Sequence, residues 1–185
     1  MIKQVIKIIV YGILFISISC NKKEKTENFE QYSMVIPSNW EKIKLKGIDS
    51  NIYLILTDRG DSIFSDFGRY SQKFEETVKV FSKAQIVKYK ALGMDTEELY
   101  SSANPEIDQS QGTFLREYYY YDTIDGKIAK IKIPKKAPKG QTGINFDSVD
   151  SRKNSLTITA EDLSQEEQHL LLKSFTTIRF NSIKK

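Results

Sequence analysis

Hydrophobic and polar positions alternate with a period of two through much of this chain, and that pattern predicts strands. Residues 32–36 (YSMVI) read as a first strand, a turn at Pro37 follows, and 40–45 reads as a second with Ile43 and Leu45 on one face. Residues 51–57 (NIYLILT) carry the apolar run of a buried strand, closed by the turn-rich Asp58-Arg59-Gly60-Asp61. The aromatic-rich stretch 113–122 and the alternating stretch 127–133 flank Asp125-Gly126, a hairpin turn pair. In the returning strand Ala129, Ile131 and Ile133 face one way, and Lys130 and Lys132 face the other, wet side. Pro134 and the residues up to Gly140 break the strand, and 143–149 and 156–160 predict two more, joined by 150–154.

Helical signals are fewer. Residues 74–92 satisfy two periods: Phe74, Val78 and Phe81 suit a helical stripe ending at Gly93, whereas the β-branched and aromatic content favours a strand over 75–83, which is the expectation. Asp95 followed by Glu97 and Glu98 predicts a short helix over 96–103, stopped before Asn104-Pro105. Ser164 with Glu167 forms a capping box that starts a last helix running to about residue 174. Many strands with two or three helices imply an α+β domain, mainly an antiparallel sheet packed with helices.

The first twenty residues do not belong to that pattern. Lys3 and Lys7 precede an apolar run over 8–16 (IIVYGILFI), the length of a signal-peptide core. Even 5–18 supplies only 14 residues where about 20 are needed to cross the hydrocarbon. An uncleaved amphipathic or re-entrant anchor is the alternative to a cleaved leader over 1–19. Ser17-Ile18-Ser19-Cys20 resembles the lipobox of bacterial lipoproteins, with Ser17 standing where that family usually has Leu, Val or Ile. The resemblance implies a diacylglyceryl group on Cys20, cleavage before it, and a further acyl chain such as palmitate on the new amino terminus. It places the protein in a bacterial cell envelope, membrane-anchored, facing the periplasm or the cell surface.

Composition sharpens this reading. Cys20 is the only cysteine, so no internal disulfide can form, and a thiol directly after an apolar run is most simply a lipid attachment point. Loss of 1–19 leaves 166 residues, enough for one domain. It also removes Lys3 and Lys7, which lowers the formal charge from +4 to +2 and weakens any case for nucleic acid as a partner. Residues 21–30 (NKKEKTENFE) hold six charges and one aromatic, which predicts a flexible tether over 20–31 and a domain over 32–185.

Two stretches of that domain carry a second resemblance. Residues 32–40 (YSMVIPSNW), where an apolar strand meets Pro, a small polar residue and Trp, resemble the entry of PsbP-like domains. Residues 163–175, closing on Ser174-Phe175, are similar to their terminal helix. The resemblance implies an antiparallel sheet packed between helices over most of 32–175. It carries no functional residue with it, because those relatives share a fold and no common site.

Candidate chemistry is sparse. His169 is the only histidine and falls in the last predicted helix, with no cysteine to join it at a zinc ion and no adjacent serine to activate. Asp122, Asp125, Asp147 and Asp150 lack the spacing of a calcium loop and read as turn carboxylates. Gly60 and Gly68, like Gly140 and Gly143, lack the spacing of a phosphate loop, and Arg59-Gly60-Asp61 reads as a β-turn. No cofactor or metal is expected.

What remains is a basic stripe. Lys127, Lys130, Lys132, Lys135, Lys136 and Lys139 adjoin Tyr118, Tyr119, Tyr120 and Tyr121 across the hairpin. From these, Tyr118, Tyr120, Lys130, Lys132 and Lys136 are expected to meet an anionic glycan, a phosphate or an acidic protein partner through charge and stacking. A sheet edge guarded by lysines explains the same pattern without a ligand. The expected role is binding or accessory at a membrane, and the rival is an envelope hydrolase with a carboxylate-based site.

Overall fold

The computed structural model describes residues 23–74, 76–136 and 138–181. The chain enters as a hairpin of β1 (Glu24–Asn28) and β2 (Tyr32–Pro37), then runs up and down through β3 (Glu41–Leu45), β4 (Ser50–Leu56) and β5 (Ser62–Gly68). A small excursion follows: β6 (Val80–Ser82), α1 (Lys83–Ala91), β7 (Tyr100–Ser102) and α2 (Pro105–Ser110). A second meander, β8 (Glu117–Ile124), β9 (Lys127–Pro134), β10 (Gln141–Phe146) and β11 (Ser155–Glu161), leads to α3 (Gln165–Phe175) and the short β12 (Arg179–Phe180).

The two meanders join edge to edge, β5 beside β11, into one antiparallel sheet of order β3-β4-β5-β11-β10-β9-β8. This is the α+β, strand-dominated domain expected. The register aligns one row of apolar residues across it: Tyr53 and Ile55, Ile63 and Phe67, Leu156, Ile158 and Ala160, Ile144 and Phe146, Ala129 and Ile131. A three-stranded sheet, β1-β2-β12, and helix α3 cover that face. Tyr32, Met34 and Ile36 from β2 and Leu171 and Phe175 from α3 fill the interface, each with no exposed surface. Two side-chain hydrogen bonds cross it: the Tyr32 hydroxyl lies 2.6 Å from Ser65 Oγ, and Gln168 Nε2 donates to Thr142 Oγ1 at 3.1 Å. Trp40 closes one end of this core, 1 % exposed.

The opposite face of the sheet is only partly covered. After β5 the chain crosses it as an irregular strap. Ser71 Oγ donates to Thr157 Oγ1, which in turn donates to the Gln72 carbonyl, both at 2.7 Å. Phe74 then drops onto β10, where the bare Cα of Gly143 makes room: a Cβ there would sit 2.8 Å from the Phe74 ring. Further along, Glu76 bonds Lys130 at 2.7 Å and the Tyr121 hydroxyl at 2.8 Å.

Several expectations are corrected. The tether expected over 20–31 is, from Glu24 onward, the strand β1, paired with β2 in the register Glu24↔Pro37 to Asn28↔Ser33. Six charges do not prevent this, because an edge strand can turn its charged positions to water while Phe29, at its end, is wholly buried. The strand expected over 75–83 shrinks to Val80–Ser82, and a helix follows it. Ser82 and Gln85 form a capping box there, with Ser82 N–H donating to Gln85 Oε1 at 2.8 Å. The helix expected over 96–103 is absent; Tyr100–Ser102 pairs in parallel with β6 instead. Asn104-Pro105, read as a stop, is a start, since proline suits the first turn of α2. Strands β5 and β12 had no counterpart among the expected elements. The leader and Cys20 lie outside the described residues.

Candidate anion-binding cleft

The register of the β8–β9 hairpin decides which of its side chains can act together. Tyr118 lies opposite Ile133 and Tyr120 opposite Ile131, so these tyrosines share the parity of the core-facing row. Tyr119 lies opposite Lys132 and Tyr121 opposite Lys130, on the other face. The five residues expected to form one surface are therefore split: Tyr118 and Tyr120 stand on one side of the sheet, Lys130 and Lys132 on the other. Because β8 is an edge strand beyond the reach of α3, both tyrosines are nonetheless largely exposed.

Lys130 is also withdrawn from ligand binding by its partners. Its ammonium pairs with Glu76, and it sits 5.6 Å from the centre of the Tyr121 ring, leaving its side chain 19 % exposed. The hydrogen bond from Lys130 holds the Glu76 carboxyl below its ordinary range, and the same bond raises Lys130. This is a clasp that fastens the strap to the sheet.

Lys132 is different. Its ammonium stands 4.2 Å above the centre of the Phe74 ring, half-buried, and makes no ion pair among the described residues. Burial pushes its pKa down, against the raising influence of Glu117 and Glu161. A solvent-poor cation without an ion-pair partner is costly unless something anionic supplies one.

Lys132 also lines a cleft of about 860 Å³ at one end of the large sheet, where β8 and β10 begin and β9 and β11 end. Around it stand Arg116, Lys135, Lys136 and Lys139, with the carboxylates of Glu117, Glu161 and Asp162. The acids are committed to the scaffold. Asp162 accepts from Gly140 N–H at 2.8 Å, Glu117 accepts from Gln141 N–H at 3.1 Å, and Glu161 accepts from Gln141 Nε2 at 3.4 Å. Those bonds fix the loop that ends the basic stripe, in which Lys139 N–H donates to the Lys136 carbonyl at 3.0 Å. Gly140 is required at its base, since φ there is +125° and a Cβ would meet Glu117 Oε1 at 3.2 Å. The cations are left for solvent: Arg116, Lys136 and Lys139 are exposed and have no ion pair among the described residues. Lys135 reaches the Gly112 carbonyl at 3.3 Å and lies 5.5 Å from the centre of the Tyr118 ring, which is how that tyrosine borders the cleft.

Of the residues expected from the sequence, Lys132 and Lys136 line this cleft, Tyr118 borders it through Lys135, and Tyr120 and Lys130 do not take part. Arg116, Glu117, Glu161, Asp162 and Phe74 were not foreseen. Only Arg116 carried a usable signal, a cation one residue before the aromatic strand.

The other candidates resolve into structure. His169 is exposed on α3. Asp150 accepts from Arg152 N–H, Asn154 N–H and Asn154 Nδ2, and so closes its own turn. Asp125 accepts from Phe180 N–H at 2.8 Å and holds β12. In the Arg59-Gly60-Asp61 turn, Gly60 N–H donates to the Thr57 carbonyl at 3.0 Å. Asp61 lies beside Glu167, whose nearby carboxylate raises the Asp61 pKa. Glu167 has no exposed surface and accepts from the Ser164 hydroxyl at 3.0 Å, which ties it to the cap of α3. Among the described residues no three His, Cys, Asp or Glu side chains gather as a metal site. No protein-family model matches the chain, and no curated protein matches it either.

Proposed function

We propose that this chain is a lipid-anchored envelope protein that binds an anionic ligand in the cleft of Arg116, Lys132, Lys135, Lys136 and Lys139. The observation that carries the reading is Lys132: half-buried on Phe74, without an ion pair among the described residues, and lining a cleft whose carboxylates accept from backbone and amide N–H groups. An anion seated there would complete the charge of Lys132 and reach the three surrounding lysines and Arg116. The membrane attachment rests on the lipobox-like Ser17-Ile18-Ser19-Cys20. No helix among the described residues is long and apolar enough to cross a membrane. A PsbP-like fold is part of the same reading. It is supported by the way the two resembling stretches meet, β2 against α3, with Val35 N–H donating to Thr177 Oγ1 at 2.8 Å just beyond the helix.

The test is binding of fluorescent dextran sulfate to the full chain in detergent, followed by anisotropy. Lys132→Met, Lys136→Glu and Lys139→Glu combined should weaken binding by at least about tenfold, equivalent to ~1.4 kcal/mol. Raising salt should weaken the wild type, because exposed charges are screened over about 8 to 10 Å. Equal affinity of variant and wild type at low salt would remove the cleft as the site.

A further inference from the structure

We infer that the cleft faces the bilayer that carries the anchor, and that its anion is the phosphate of an anionic phospholipid headgroup. This rests on the lipid anchor and on the anion-binding reading above, and it follows from the correction at the N-terminus. If residues up to 31 were a loose tether, the domain could tumble freely on the membrane. Instead β1 begins at Glu24, four residues after Cys20. At roughly 3.3–3.6 Å per residue, a fully extended chain from Cys20 to Glu24 spans about 14 Å at most. The end of the domain at which the chain enters is thus held against the lipid surface.

The register shows which end that is. The Lys23 carbonyl accepts from Ser38 N–H at 2.7 Å, next to Trp40 and the start of β3. From there the pairings step across the sheet: Glu41 with Leu56, Leu56 with Ser62, Ile63 with Ala160, Glu161 with Gln141, and at the far side Pro134 with Glu117. The last of these, Glu161, Gln141 and Glu117, line the cleft, which therefore opens at the end where the chain enters. With about 4.8 Å between neighbouring strands, the two lie within roughly 30 Å of one another along that end. Lys23, Arg116, Lys135, Lys136 and Lys139 are all exposed there. A lipid at one corner and a basic cleft toward the other give the two signals that stable, oriented membrane attachment needs.

The test uses the acylated full chain, placed in detergent micelles and then on vesicles of either phosphatidylglycerol or phosphatidylcholine. Exposed amines are acetylated with a membrane-impermeant reagent and quantified by peptide mass spectrometry. Lys46 and Lys153 lie at the opposite end of the sheet and serve as internal references. Relative to them, labelling of Lys135, Lys136 and Lys139 should fall several-fold on phosphatidylglycerol, and should recover on phosphatidylcholine or in roughly 0.5 M salt. Unchanged labelling on phosphatidylglycerol, with protection by dextran sulfate in micelles, would overturn the membrane-facing inference and leave the anion-binding reading standing. No protection in either arm would overturn both. An intact mass without acyl chains would remove the anchor, and this inference with it.

Discussion

Phe29→Ala tests the N-terminal boundary, because Phe29 lies inside the stretch that composition marks as a tether and yet has no exposed surface. Its ring stacks on Tyr32 at 4.7 Å with 3° between the planes, and meets Tyr53 edge-on at 5.3 Å. Truncating a fully buried phenylalanine removes its transfer free energy and leaves a cavity, a loss of about 3–5 kcal/mol. The two ring contacts fall within that figure, and each is worth roughly 0.5–1.5 kcal/mol beyond burial. Against a total stability of about 5–15 kcal/mol, the variant should be visibly weakened. Trp40 is the only tryptophan and is buried, so its fluorescence reports urea unfolding directly. With a slope of about 2 kcal/mol per molar urea, the midpoint should drop by roughly 1.5–2.5 M. Thr26→Ala, at an exposed position of β1, should stay within about 0.5 kcal/mol of wild type. A Phe29→Ala midpoint indistinguishable from wild type would restore the tether, and would lengthen the leash on which the orientation of the cleft depends.

The clasp between strap and sheet should show in acid. The Lys130 ammonium holds the Glu76 carboxyl below its ordinary value of 4.5, so its contribution is fully present above pH 4.5 and is lost as pH falls through the lower folded value. Urea midpoints at neutral and at low pH should converge for wild type and Glu76→Gln on acidification, and parallel curves would refute the clasp. Burial lowers the Lys132 pKa from 10.5, so its reaction with an amine reagent should show an inflection below that value, and bound dextran sulfate should shift the profile upward. Its folded value lies below the unfolded one, so this group's contribution to stability should improve as pH rises toward 10.5, and Lys132→Met should remove that rise; an inflection at or above 10.5 would place Lys132 in open solvent. Cys20→Ala should abolish acylation and leave an unprocessed precursor, because there is no other cysteine, and persistent label from an acyl probe would refute the lipid attachment.

Elements whose pattern is local could be read from the chain. The strand 51–57, the hairpin turn at Asp125-Gly126 and the Ser164 cap of α3 each depend on residues a few positions apart, and each is present; of the expected capping box only the bond from Glu167 N–H to Ser164 Oγ forms, because the Glu167 carboxylate takes the Ser164 hydroxyl and not its N–H. Strand β5 escaped because it is not amphipathic: Ile63 and Phe67 point to the core with a serine between them, and Phe64 lies on the other face, 48 % exposed. Strands β1 and β7 escaped for another reason. They are short and polar, and their partners, not their composition, make them strands.

The cleft illustrates the same limit at the level of chemistry. A run of lysines and a run of tyrosines announce that the hairpin has a charged, aromatic character, but a shift of one residue in register moves every side chain to the opposite face. Choosing Tyr118 and Tyr120 together with Lys130 and Lys132 assumed one parity, and the observed pairing of Tyr118 with Ile133 imposes the other. What then separates Lys132 from Lys130, two positions apart on the same face, is contributed from more than fifty residues upstream. The strap brings a carboxylate to one lysine and a benzene ring to the other. Glu76 satisfies Lys130 and retires it. Phe74 covers Lys132 without pairing its charge, which only the nearby Glu117 and Glu161 offset, and on the proposed reading an anion in the cleft would supply that pair. The strap across this sheet face thereby makes two lysines of like sequence context unlike in surroundings, and the proposed anion binding turns on that difference.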